Sequence, residues 1–240
     1  MNTAHFALVF AGACTSLCIA QVTQVSEAVG VISGTVKGAD GSPVASGLVS
    51  VSRIADTAKS KLRRISGAAA TVPNGSFRLP SLDSGTYRIC VQVPGTAWID
   101  PCEWGPGGRT VALPSGQALS SVNLVLNKGA IVTLRVTDPR QLLSMHEGKT
   151  PGAHLLLGVS TDALSFRMAS LVSQDTGGRN YQLLIPFDRK VNIAVSSAFF
   201  RLLDTNGIAL PKSGSVIPVI VPSGQQAPTL LLSVIGVGSP

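Results

Sequence analysis

Residues 96–108 read TAWIDPCEWGPGG and hold the densest chemistry of the chain. Both tryptophans, Trp98 and Trp104, stand here around Asp100, Cys102 and Glu103. Indole rings beside carboxylates suit stacking on a sugar and hydrogen bonding to its hydroxyls, or gripping a peptide. The competing use is packing, with the indoles covering the end of a sandwich or a seam between domains. Trp98, Asp100, Glu103 and Trp104 are therefore the candidate ligand contacts, on a loop of the kind that carries binding.

Other chemistry is sparse. After the N-terminal segment the histidines are His146 and His154, with Glu147 beside the first. They are the only residues on which a hydrolase reading rests. A metal site needs three or four converging ligands, and the His-Glu-x-x-His, paired Cys-x-x-Cys and EF-hand patterns are absent. There is no Gly-x-Ser-x-Gly elbow for a nucleophilic serine. Gly105 to Gly108 (GPGG) is too short and proline-bound to cradle a phosphate. Asn74-Gly75-Ser76 fits a glycosylation sequon but reads as a turn. No catalytic residue, metal or cofactor is expected.

The first twenty residues lack Lys, Arg, Asp and Glu. An apolar run, Phe6 to Cys14, leads to Cys18-Ile19-Ala20, a small-x-small processing pattern. This predicts a signal peptide over residues 1–20 and a periplasmic or extracellular protein, with a lipid-anchored form at Cys14 as the alternative. No membrane span is expected after cleavage. LPKSG (Leu210 to Gly214) reads as a turn, since no hydrophobic span and basic tail follow it. The mature chain keeps Cys90 and Cys102, and an even pair in an exported chain predicts one disulfide.

The net charge is +7, from 19 basic and 12 acidic residues. It is shared evenly: 9 − 6 = +3 over residues 21–127 and 10 − 6 = +4 over residues 128–240. Lys59, Lys61, Arg63 and Arg64 form the one basic cluster, which suits a solvated hairpin or edge strand, the alternative being a patch for an acidic partner such as anionic polysaccharide or lipid. Nucleic acid is not an expected partner.

These residues must be positioned by strands. Hydrophobic residues make up 45% of the chain, while 25 glycines and 15 prolines punctuate it in turn-like pairs. That pattern predicts an all-β protein. Tyr87, Ile89, Val91 and Val93 alternate with Arg88, Cys90 and Gln92, so Cys90 points away from the apolar stripe. A Cys90–Cys102 bridge would pin the intervening loop against the outside of the sheet. Tyr87 can cap the sandwich end while its hydroxyl bonds backbone.

Two stretches carry a resemblance. ISGTVKGADGSPVASGLVSV has the form Gly-x-Val, Asp-Gly-x-Pro-Val, then a strand. GSFRLPSLDSGTYRICV has the form Gly-x-Phe-x-Leu, then Leu-x-x-Gly-x-Tyr-x-Ile-x-Val. Together they resemble the carboxypeptidase regulatory-like domain, a prealbumin-like β-sandwich, over residues 29–127. In metallocarboxypeptidases such a domain accompanies a zinc peptidase and does no chemistry. The peptidase's His-x-x-Glu motif is absent here, so the resemblance implies a fold and no catalytic residue.

From Ala130 onward, further alternating runs separated by turns predict a second β-sandwich of seven or eight strands, without a named family. DPRQLLSMHEG has room for one helical turn. The expected organisation is two consecutive β-sandwich domains after a signal peptide: 1–20 signal peptide, 21–28 leader, 29–127 first sandwich, 128–240 second, with Gly129 giving flexibility at the junction. The expected function is a non-catalytic binding or structural module of the bacterial cell envelope, meeting a carbohydrate or an envelope protein. The alternatives are an assembly subunit acting through protein contacts and a hydrolase using His146 or His154. The oligomeric state is left open.

Overall fold

The computed structural model describes residues 29–54, 65–104, 108–161, 166–211 and 213–238. The expected signal peptide and leader, the Lys59 to Arg64 cluster and Lys212 lie outside the described residues.

The first half holds β1 (Gly30–Gly38), β2 (Leu48–Arg53), β3 (Ile65–Ala70), β4 (Ser76–Leu82) and β5 (Gly85–Gln92). One helical turn, α1 (Pro101–Trp104), then precedes β6 (Arg109–Leu113) and β7 (Ala118–Leu126). The second half runs β8 (Gly129–Thr137), α2 (Leu142–His146), β9 (Leu156–Ser160), β10 (Phe166–Met168), β11 (Ser170–Asp175) and β12 (Gly178–Pro186). It ends with β13 (Val191–Ser196), β14 (Phe200–Leu203), β15 (Ser215–Val219) and β16 (Thr229–Val237). The chain is all-β, as its periodicity predicts. Among the described residues, no helix is long and apolar enough to cross a membrane.

The sheets repeat one plan. In the first half, β4-β1-β7 faces β3-β2-β5-β6, with β1 antiparallel to β4 and parallel to β7. In the second half, β12-β8-β16 forms the centre of one sheet, with β8 antiparallel to β12 and parallel to β16. The other sheet is β10-β9-β13-β15. Strands β8, β9, β10, β12, β13, β15 and β16 thus occupy the places of β1 to β7, in the same chain order. What the second half adds is two outer strands, β11 and β14, which widen its first sheet to β11-β12-β8-β16-β14. The run SFRMASLVS, which reads as one strand, is split: at Ala169 the chain leaves the β9 sheet and joins the β12 sheet.

Each half has its own core, built from the inward positions of the period-two pattern. Ile32, Val51, Leu79, Tyr87, Ile89 and Leu126 are buried in the first. Val132, Leu134, Leu157, Leu183, Ile185, Ile193 and Leu232 are buried in the second. Each such side chain contributes roughly 1.5–3 kcal/mol of transfer free energy. The Tyr87 hydroxyl donates to the Asp83 carbonyl at 2.8 Å, so the ring is buried while its polar end is satisfied.

Candidate functional site

The segment between β5 and β6 ties the two halves together. Val93 still belongs to the first core, and Thr96 turns the chain by donating its hydroxyl to the Val93 carbonyl at 2.7 Å. The next residues then pair with the junction. Gly129 N–H donates to the Ala97 carbonyl at 2.7 Å, and Ile99 N–H donates to the Asn127 carbonyl at 2.9 Å. This corrects the expected role of Gly129. A Cβ there would sit 2.4 Å from the Ile185 carbonyl oxygen and 2.5 Å from Ile99 Cδ1. Gly129 serves close approach, and the junction is fastened by hydrogen bonds on both sides.

Asp100 opens α1. Its Oδ1 accepts from Cys102 N–H at 2.8 Å, while Pro101 occupies the first helical position, where no donor is missed. Asp100 is 4% exposed, and burial raises its pKa above the ordinary carboxylate range despite the Cys102 N–H bond. Cys102, held in this turn, is bonded to Cys90 of β5 with a Cα–Cα distance of 5.5 Å. The disulfide expected from the sequence is therefore present. Cys90, Asp100 and Cys102 place ligating atoms within 4.8 Å of one another, but both sulfurs are held in the bridge.

The turn then delivers its last two side chains to the other half. Glu103 forms an ion pair with Arg167 of β10. Trp104 is 6% exposed and packs in the second core together with Ile99. Arg189 donates to the Trp104 carbonyl, and its guanidinium carbon lies 6.0 Å from the indole centroid. Trp98 faces the first half instead. It is half-buried against the first core, with Lys128 Nζ 5.2 Å from its ring centroid. Gly38 makes that seat, since a Cβ there would lie 2.4 Å from Trp98 Cη2.

Between the halves lies a cleft of about 340 Å³. One wall is the segment from Gln92 to Asp100, with Trp98 and Pro94. The other is the outer face of the β8-β12-β11 sheet, with Ile131, Leu184, Gln182, Ser170 and Val172, closed by Arg167 and Met168 of β10. Outward positions of an antiparallel sheet are usually polar, and here Ile131 and Leu184 give the cleft an apolar floor. Gln92, Thr96, Ser170 and Gln182 supply neutral hydrogen-bonding groups along it. Arg167 is engaged by Glu103. Asp100 is buried and accepts from Cys102 N–H, so the described residues of the cleft suit an uncharged ligand with both apolar and hydrogen-bonding groups.

The sequence candidates divide between two places. Trp98 and Asp100 line the cleft, whereas Glu103 acts on it through Arg167 and Trp104 points into the second core. His146 sits at the end of α2, its ring 5.2 Å from Phe199 and its Nδ1 3.2 Å from Thr150 Oγ1. His154 is exposed. Among the described residues, neither histidine belongs to a group of three or more metal-ligating side chains. Glu147 is paired with Arg179.

Several residues of the site escape a reading by motif. Arg167, Met168, Val172, Gln182 and Leu184 come from the second half. Ile131 carried a signal, as an apolar residue on the side of β8 opposite Ala130, Val132, Leu134 and Val136. Asp100-Pro101-Cys102-Glu103 has the cap-Pro-x-Glu form of a helix start and could have located α1.

No protein-family model matches the sequence, and no curated protein is significantly similar to it. Solved structures that match in part include the Bacillus anthracis TIE protein, at 9% identity and TM-score 0.32, covering 87% of this chain and 34% of that one. A streptococcal ancillary pilin is 10% identical with TM-score 0.39, covering 85% of this chain and 62% of that one. The shaft pilin SpaA from Lactobacillus rhamnosus GG is 9% identical with TM-score 0.31, covering 88% of this chain and 100% of that one. The chain thus spans about a third of the first of these proteins and under two thirds of the second. At these scores the similarities assign neither family nor function.

Proposed function

We propose that the chain is an exported, non-catalytic structural and binding module of the bacterial cell envelope, which takes a glycan or peptide in the cleft between its two sandwiches. The observation that carries this reading is the disulfide-closed segment from Cys90 to Cys102. It fastens one sandwich to the other through Ile99, Glu103 and Trp104, and it walls the cleft through Trp98. A disulfide forms and persists in oxidising compartments, which supports a periplasmic or extracellular location. In this reading, residues 29–127 are a carboxypeptidase regulatory-like domain and residues 128–240 a second domain on the same strand plan.

The test is photo-crosslinking in the native envelope, with a benzophenone amino acid in place of Met168, which lines the cleft and is 48% exposed. A single glycan or peptide adduct supports the reading, and labelling no greater than at an exposed site far from the cleft opposes it. Turnover of peptide, ester or glycoside substrates that is lost in His146→Ala or His154→Ala would overturn the non-catalytic assignment.

A further inference from the structure

We propose that the outer edge of β11 takes up an extended, uncharged peptide strand from another protein, with alternate side chains of that strand entering the cleft. The inference rests on the cleft being a binding site and names the ligand class and the mode of binding.

Strand β11 ends its sheet in the order β11-β12-β8-β16-β14, and all six of its residues are exposed. Among the described residues its only strand partner is β12. It is one of the two strands added to the seven-strand plan, so the sandwich does not require it as its outermost member. An edge strand presents a row of backbone donors and acceptors, which natural proteins often block with Pro, Lys or Arg. The edge strands β4 and β15 carry Pro80 and Pro218, and β6, β10 and β14 carry Arg109, Arg167 and Arg201. Strands β3, β7 and β11 carry none of these, and of the three only β11 supplies residues to the cleft.

The edge is apolar where it meets the cleft. Leu171 is 51% exposed and Val172 50%. The register with β12 shifts between Leu171 and Ser173, leaving Val172 without a β12 partner. Such a bulge re-aims a side chain, and Val172 lines the cleft with Ser170. An added strand would cover this apolar pair while its backbone bonds the edge, so pairing supplies affinity and the cleft supplies selection.

Charge selects the occupant. The two ionic residues flanking the edge are engaged within the molecule: Arg167 with Glu103, and Asp175 with Arg135 at 2.8 Å. The other ionisable residue of the cleft, Asp100, is 4% exposed and accepts from Cys102 N–H, so among the described residues the site offers no free charge to match a charged strand. A sugar has no regular N–H and C=O spacing with which to pair a strand. A second copy is a competing occupant, since β11 paired antiparallel with itself can set Leu171 against Leu171, and the experiment separates the two.

The experiment uses the full mature chain and a capped heptapeptide alternating Thr and Val. Backbone hydrogen exchange is followed with and without peptide. The expected result is added protection within residues 170–175, and affinity weakened about tenfold or more in Val172→Lys, since an edge lysine blocks pairing. An unchanged melting temperature in that variant shows that the fold is intact. A peptide with Lys in place of its Val residues should not bind. Protection at another strand, equal affinity for Val172→Lys, or dimerisation through β11 without peptide uptake overturns the proposal. A glycan that shields Trp98 while the peptide leaves β11 unprotected also overturns it, and leaves the cleft standing as a binding site.

Discussion

Glu103 and Arg167 are an ion pair drawn from opposite halves of the chain, one in the turn held by Cys102 and the other on the strand that closes the cleft. Their side chains keep 27% and 38% exposure, so solvent screens the attraction. A double-mutant cycle with Glu103→Gln and Arg167→Gln, read by chemical denaturation, should give a coupling of about 0.5–1 kcal/mol. Strict additivity would mean that the pair does not join the halves.

The two tryptophans should respond differently to truncation. Trp104→Ala removes a buried ring from the second core and should cost about 3–5 kcal/mol. The loss should appear in the unfolding of the second half, although Trp104 precedes the junction in sequence. Trp98→Ala removes a half-buried ring and should cost about 1 kcal/mol while abolishing cleft binding. Site-specific hydrogen exchange separates the two effects.

Much of the fold is legible in the sequence because the period-two pattern is strong. The stripe of Tyr87, Ile89, Val91 and Val93 and the opposite placement of Cys90 are both found. The even cysteine pair reads correctly because few alternatives remain once two cysteines are left. What fails is any question about which core receives a side chain. Nothing local distinguishes Trp98, seated beside Gly38, from Trp104, seated beneath Arg189. The split at Ala169 is hidden for a similar reason: an extended run has the same period in either sheet. Gly129 illustrates a further ambiguity, since a glycine that permits flexibility and one that permits close approach look alike in sequence.

Asp100 should give stability a recognisable pH dependence. Burial raises its folded pKa above the unfolded value, so protonation favours the folded state. Its favourable contribution is complete below the unfolded carboxyl value of about 3.9, and it is lost as pH rises through the folded value. Asn keeps an oxygen to accept from Cys102 N–H and carries no charge. Asp100→Asn should therefore be more stable than wild type at pH 7, with the gain shrinking as pH falls through the folded value. Denaturation midpoints across this range decide the matter, and a gain that grows on acidification contradicts the account.

The two halves should not be equally independent. Residues 21–127 retain the whole first core and should unfold cooperatively as a separate chain. Residues 128–240 alone lose Ile99 and Trp104 from their core and should be the less stable fragment by several kcal/mol. Calorimetry of the two fragments tests this division. An unfolded first fragment would place the domain boundary elsewhere.

The fastening of the two sandwiches by the Cys90–Cys102 segment is tested most directly by nitrogen-15 relaxation of residues 21–240, oxidised and then as Cys90→Ser/Cys102→Ser. The bridge closes a separation of 12 residues, and its loss should cost about 2–3 kcal/mol without unfolding the sandwiches. Oxidised, both halves should tumble with one correlation time; without the bridge, the correlation times should fall and separate as the turn carrying Glu103 and Trp104 loosens. Two different correlation times in the oxidised protein would contradict the account.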